Sequence, residues 1–170
     1  MKVIAGGMMD YIIDTDFPEK EALWEMIQDC AHEFFGDDGG VVDADSFLDW
    51  LKRYAEYPLF GYMDGKLFSC SYLCGTQPGF KAAIHCFSHP DYRTPEIMIP
   101  ASRTVLGLYF KELDLQKLEG VVPEYNRPAR LFDLRIGMKK DGRFREHFLY
   151  QGKMHDCILY TILRSEFYGQ

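Results

Sequence analysis

The sequence lacks several features that would assign it to a class at once. It has no apolar run long enough to cross a membrane, and it has neither internal repeats nor low-complexity segments. Its five cysteines are an odd number without a repeated pair spacing, which excludes a complete disulfide framework and does not indicate a zinc site. We therefore expect free thiols and no metal centre.

Positive charge is also scarce. Lys and Arg number 19 against 26 Asp and Glu, so the net charge is -7 at pH 7, and the basic residues are scattered along the chain. This charge disfavours nucleic acid as a partner. Residues 1–10 carry one Lys and an apolar run that is too short for a secretion signal. We expect a cytoplasmic protein that binds neither membranes nor nucleic acid.

Helix and strand signals are what the sequence does contain. The 170 residues, 47% of them apolar, are enough for one ordinary domain, which we expect to span residues 1–170. Residues 1–16 predict a first strand. Two amphipathic helices follow, one ending near Phe35 and one running from Asp45 to a stop before Pro58. Three extended runs then predict an antiparallel meander with a tight turn at Asp64–Gly65.

The segment of residues 113–167 gives the clearest order of elements. A strand over residues 117–122 is followed by Asn126, and Pro128 then favours the first turn of a helix that ends at Gly137. Two further strands form a predicted hairpin around Gln151–Gly152. The predicted fold class is α/β: a mixed, mostly antiparallel sheet of about six or seven strands with helices on both faces.

The order of elements and several residues resemble the GNAT family of acetyl-CoA-dependent N-acetyltransferases, nearest the branch that acetylates ribosomal-protein N-termini. The resemblance covers about residues 90–167. It implies a GNAT-like sheet whose fourth and fifth strands part around an extended thioester. It also implies acetyl transfer from acetyl-CoA to a primary amine, a peptide N-terminus or a small molecule, by direct attack in a ternary complex. The matching residues are Asn126, Ala129, Gly137, Gly142, Arg145, Gly152 and Asp156.

The same resemblance implies a binding site for acetyl-CoA. In the family, the fourth strand leads into a loop where an Arg or Gln precedes two small residues, whose amides bind pyrophosphate at a helix N-terminus. Arg93 matches the leading Arg, and Ala101, Ser102 and Asn126 complete the predicted cofactor-binding residues. Asn126 is equally compatible with an ordinary helix cap.

The pyrophosphate loop departs from the family pattern. We expect the helix after this loop to start near Pro100. The two small positions of the loop fall on Glu96 and Met98, and Pro95 and Pro100 have no amide hydrogen. A carboxylate repels a pyrophosphate, and both side chains hinder the close approach that glycine allows. These residues favour an alternative function, a catalytically inactive GNAT-fold binding or assembly protein. A different acyl donor is a third possibility.

Three residues are candidates for proton transfer. Many family members carry a Tyr seven residues after the Asn to protonate the departing thiolate, and Asp133 has that position here. A carboxyl group can serve in this way only if burial raises its pKa. His85 and His89 lie where the resemblance places a base, while a hydrogen-bonded core histidine is the alternative for each.

Apolar stripes of the helices and strands predict the core. The residues expected to be buried are Leu23, Leu51, Leu106, Phe110, Leu131 and Ile158.

Overall fold

The computed structural model describes residues 2–6, 9–14, 17, 19–37 and 39–169. The strands are β1 (Lys2–Gly6), β2 (Met9–Ile13), β3 (Glu56–Met63), β4 (Lys66–Gln77), β5 (Lys81–Ser88), β6 (Lys117–Pro123), β7 (Lys139–Tyr150) and β8 (Lys153–Leu163). The helices are α1 (Lys20–Glu25), α2 (Ala31–Phe35), α3 (Ala44–Tyr54), α4 (Pro95–Glu112), α5 (Arg127–Arg135) and α6 (Arg164–Tyr168).

All eight strands form one sheet in the order β1-β2-β3-β4-β5-β6-β8-β7. Only β5 and β6 are parallel neighbours, so the predicted mixed, mostly antiparallel sheet is confirmed. The segment predicted as one first strand is instead a pair, with Lys2 opposite Ile13 and Gly6 opposite Met9. The weak alternation of residues 1–16 did not reveal this pairing, because a period of two fixes a register only where one face is clearly buried.

Two tight turns connect strands as the sequence predicts. Asp64 and Gly65 have φ values of 51° and 73°, and Gln151 and Gly152 have 52° and 67°. Two successive residues in the left-handed region match the twist of an antiparallel hairpin. The β3–β4 and β7–β8 hairpins are therefore confirmed.

The first predicted helix is interrupted. Ile27 has a φ of -125°, and its amide donates to the Trp24 carbonyl, three residues back. A 3-10 turn over residues 28–30 then leads into α2. The next helix, α3, begins as expected, because Asp43 accepts a hydrogen bond from the Ser46 amide at 2.8 Å and caps it.

The long helix α4 begins at Pro95, earlier than the start near Pro100 that the sequence suggested. Pro95 occupies the first helical position, where an amide would have no partner within the helix. Pro100 lies inside the helix and removes one internal hydrogen bond. Glu96 and Met98 consequently lie in the first turns of a helix, and the predicted loop is shorter.

The sheet lies between two helical layers, each with its own apolar core. Helices α1 to α3 pack on one face through Leu23 and Leu51, and α4 to α6 pack on the other. The predicted core is confirmed at every position except Leu131, which is 44% exposed. No helix in the described part of the chain is long and apolar enough to span a membrane.

Candidate active site

A cleft opens where β5 and β6 separate. The two strands pair only at Lys81–Lys117, Ala82–Leu118 and Ala83–Glu119, and diverge beyond them. The predicted parting of the fourth and fifth strands of the core sheet is thereby confirmed. A cavity of about 800 Å³ fills the gap, next to the first turn of α4 and the start of α5. Its size is that of a small-molecule site.

The cavity reaches both faces of the sheet because β5 directs alternate side chains to opposite sides. Ile84 packs with the core of α4 to α6, whereas Phe87 belongs to the core of α1 to α3. His85 shares the side of Phe87, and its ring lies 6.4 Å from that of Phe34 on α2. Cys86 lies on the opposite side, where the charge of Asp133 acts on it.

Asp133 on α5 lines the cavity on the side of α4 to α6. Its Oδ2 atom is buried and has no hydrogen-bond partner among the described residues. A side chain at Gly120 on β6 would bring a Cβ within 3.6 Å of that oxygen. Burial raises the pKa of Asp133 to about 7. Both the acid and the carboxylate are therefore populated at neutral pH, as a proton donor requires.

Cys86 is a neighbour of Asp133 in the cavity wall. The residue is exposed overall, while its sulfur is desolvated. Burial, and then the charge of Asp133, raise the pKa of Cys86 well above that of a free thiol. The thiol stays protonated at neutral pH, whereas the thiolate is the reactive form.

His85 is held by ring stacking. Its imidazole lies 5.1 Å from the Tyr72 ring, measured between centroids, with 7° between the planes. Burial lowers the pKa of His85 to about 4, so the ring is neutral at pH 7. A neutral imidazole with this pKa can accept a hydrogen bond, but it is a weak base.

His89 and Arg93 have structural contacts. His89 does not line the cavity; its Nδ1 accepts a hydrogen bond from the Asp91 amide at 3.3 Å and caps a 3-10 turn. Arg93 does line the cavity, but its Nη2 donates to the Met26 and Ser88 carbonyls at 2.7 and 2.9 Å. The guanidinium thus ties the end of β5 to the end of α1.

The other predicted cofactor-binding residues divide into two groups. Ala101 and Ser102 do not line the cavity, because the earlier start of α4 places them beyond its first turn. Ala101 is buried, and its carbonyl accepts a hydrogen bond from the Tyr11 hydroxyl at 3.3 Å. Asn126 lines the cavity and also caps α5, since its Oδ1 accepts a hydrogen bond from the Ala129 amide at 3.2 Å.

The sequence did not predict the contact that assembles one wall of the cavity. Phe34 on α2 and Phe148 on β7 contribute to it, although they are far apart in the chain. Asp37 brings them together: its carboxylate accepts hydrogen bonds from the Gln151 and Gly152 amides at 3.0 and 2.7 Å, at the tip of the β7–β8 hairpin. The glycine-rich acidic loop was the available signal, but its partner lies more than a hundred residues away.

Comparisons with known proteins agree with this geometry. No family model matches the sequence. A Bacillus subtilis (strain 168) protein named "Putative ribosomal N-acetyltransferase YdaF" is 29% identical over 129 residues, covering 72% of this chain and 69% of that protein. The chain is thus similar in sequence to an N-acetyltransferase, and its fold is that of the GNAT acetyltransferases. An acetyltransferase (GNAT family) from Bacillus anthracis shares the fold, with a TM-score of 0.75 and 17% identity over 95% of this chain and 98% of that one.

A second solved structure extends the comparison of folds. The spermidine N-acetyltransferase from Vibrio cholerae, in complex with CoA and spermine, has a TM-score of 0.76 and 16% identity, covering 96% of this chain and 99% of that one. The chain has this fold over nearly its whole length. In this chain, Asp133 places a carboxyl in the cleft and Glu96 places a charge at the start of α4.

Proposed function

We propose that the protein is an N-acetyltransferase that transfers the acetyl group of acetyl-CoA to a primary amine by direct attack in a ternary complex. One observation carries the proposal: the carboxyl of Asp133 is buried without a hydrogen-bond partner in the cleft between β5 and β6. A structural carboxyl would be paired, because burying an unpaired one is costly. A carboxyl with a pKa near 7 is instead suited to proton transfer.

The open edge of β5 suits an extended thioester. Beyond Ala83, this edge has no neighbouring strand, so its peptide groups can bind the amides of a pantetheine arm as an added strand would. Asn126 lines the cavity at the same opening. Its Oδ1 already caps α5, so its Nδ2 is the atom that can donate to the ligand. These contacts would hold the thioester carbonyl between the two sides of the cleft.

Asp133 supplies the proton in the proposed reaction. The amine nitrogen forms a bond to the acetyl carbon, the carbon–sulfur bond breaks, and its electron pair goes to sulfur. Asp133 gives its proton to that sulfur, and the surplus proton of the nitrogen passes to water, from which the carboxylate is reprotonated. His85, on the other side of β5, accepts a hydrogen bond from the amine and orients it. Its pKa of about 4 makes it too weak a base to deprotonate an ammonium ion.

The pyrophosphate end is the weaker part of the site. The N-terminus of α4 borders the cavity through Thr94 and Pro95, and a helix N-terminus favours an anion. Glu96 in the same turn opposes it, and Arg93 already donates to backbone carbonyls. We therefore expect binding of acetyl-CoA to depend more on the pantetheine arm than on the phosphates.

Exchange of the Asp133 carboxyl tests the proposed role. We expect Asp133→Asn to lower kcat by about 100-fold, the lower end of what general acid catalysis contributes, without weakening CoA binding. Asp133→Glu keeps the titrating group and should retain more activity. Steady-state kinetics and CoA titration of both variants give the answer, and equal kcat in the wild type and Asp133→Asn would contradict the assignment.

A further inference from the structure

The two sides of the cavity differ in their charged groups. Asp133, on the side of α4 to α6, is the only carboxyl among the described residues that line it. The side of α1 to α3 is formed by Ile27, Cys30 and Phe34 together with His85 and Phe87. The proposed chemistry places the thiol end with Asp133, so this second side receives the amine.

Among the described residues that line it, this acceptor side has no carboxylate that would neutralise a second positive charge. His85 is neutral and has no proton-accepting carboxylate beside it in the described cavity wall. The charged residue that lines the cavity beside Ile27 is positive, because the hydrogen bond to the Met26 carbonyl holds Arg93 there. A distal ammonium would lose its hydration here and meet a like charge, and both effects disfavour its binding.

Apolar surface dominates the same wall. The ring of Phe34 packs edge-on against Phe87 at 6.0 Å between centroids, and Phe148 of β7 lines the cavity as well. Aromatic walls of this kind gain free energy by burying the apolar part of a ligand.

Resting on the proposed function, we infer that the acceptor is a monoamine carried by an apolar or aromatic group, and that polyamines are poor acceptors. This distinguishes the protein from the spermidine N-acetyltransferase that shares its fold and was crystallised with spermine. The site would discriminate against polyamines because their second ammonium would be buried without a partner.

A matched pair of amines tests the inference. Hexylamine and 1,6-diaminohexane have the same chain length and differ only in the distal ammonium. With acetyl-CoA as donor, we expect kcat/KM for hexylamine to exceed that for the diamine by at least about tenfold, because the second charge is desolvated without a partner. Cys30→Asp adds a carboxylate to the acceptor side and should reduce this ratio at least about fivefold. Cys30→Asn, which has the same shape and no charge, should leave the ratio unchanged.

The outcomes separate the inference from the proposed function. Equal or greater kcat/KM for the diamine overturns the inference, as does bound acetyl-CoA with no acetylation of either amine. Failure of the protein to bind acetyl-CoA, measured by calorimetry without any amine, removes the proposed function and the inference together. A ratio that responds equally to Cys30→Asp and Cys30→Asn also overturns the inference, because shape and not charge would then set the preference.

Discussion

Burial moves the pKa values of Asp133 and His85 in opposite directions. The pKa of Asp133 rises from an ordinary 3.8 to about 7, so this group stabilises the fold fully below pH 3.8 and loses that contribution as the pH rises through 7. The pKa of His85 falls from 6.5 to about 4, so its contribution is present above pH 6.5 and is lost as the pH falls through 4. Between these limits the two contributions offset each other.

Substituting either residue should expose the pH dependence of the other. In Asp133→Asn only the His85 contribution remains, so the free energy of unfolding should rise from about pH 4.5 to 6.5 by up to about 3 kcal/mol relative to the wild type. His85→Asn should show a fall over the same range. Urea unfolding at several pH values measures both slopes. Parallel curves for all three proteins would show that the two groups are not desolvated.

The place of Asp133 could be predicted from its distance to Asn126, but its pKa could not. The shift comes from burial in the folded protein, where Oδ2 has no hydrogen-bond partner among the described residues. For His89, the position in the sequence suggested the wrong role. It follows β5, where a catalytic base was expected, but its ring caps a 3-10 turn that starts at Pro90. The sequence proposed His85 and His89 equally as bases, but only His85 lines the cavity.

At the scale of single elements, the order of strands and helices was predictable and some boundaries were not. The sequence suggested a start near Pro100 for α4, but Pro95 is the proline that occupies the first helical position. Glu96 follows it in the first turn, where a carboxylate stabilises the helix through the dipole. The residue that opposes a pyrophosphate therefore also supports the helix that borders the site.

Replacement of Glu96 should separate these two effects. We expect Glu96→Gln to strengthen CoA binding by about threefold, a modest gain because the side chain is exposed and its charge is screened. The free energy of unfolding should fall by about 0.3 to 1 kcal/mol through loss of the helix-dipole interaction. Calorimetry and urea unfolding measure the two changes.

Glu112 provides the control, because it lies at the opposite end of α4. Glu112→Gln should leave CoA affinity unchanged. An equal effect of both substitutions, or no gain from Glu96→Gln, would place the phosphates away from this turn. Glycine at position 96 is a poorer test, since it costs about 1 kcal/mol in a helix by itself.

Two apolar residues on helices should differ sharply in their contribution to stability. Phe110 on α4 is fully buried, and we expect Phe110→Ala to lower the free energy of unfolding by about 3 to 5 kcal/mol. Leu131 on α5 faces the cleft and is 44% exposed, so Leu131→Ala should cost less than about 0.5 kcal/mol. Chemical denaturation of both variants makes the comparison. Equal losses would mean that the cleft is closed around α5 in solution.

At the scale of the whole molecule, the site depends on contacts that no local pattern reveals. Three residue pairs join β5 and β6 at one end of the cleft, and residues from both helical layers line the gap at the other. The parting was expected from the family resemblance. The contact of Asp37 with the β7–β8 hairpin was not, because the two lie more than a hundred residues apart in the chain.

Binding of CoA should stabilise the whole fold, since the ligand joins both sides of a cleft that is otherwise open. A ligand present at 100 times its Kd adds about 2.7 kcal/mol to the free energy of unfolding, which raises Tm by roughly 5 to 10 °C for a domain of this size. Thermal unfolding with increasing CoA measures the shift.

Adenosine 3′,5′-bisphosphate, which has no pantetheine arm, should give a much smaller Tm shift if β5 provides the main contacts. Equal Tm shifts for the two ligands would show that the phosphates provide most of the binding free energy despite Glu96. No shift at millimolar CoA would support the catalytically inactive protein, because the cleft would then lack affinity for the donor that the proposed reaction requires.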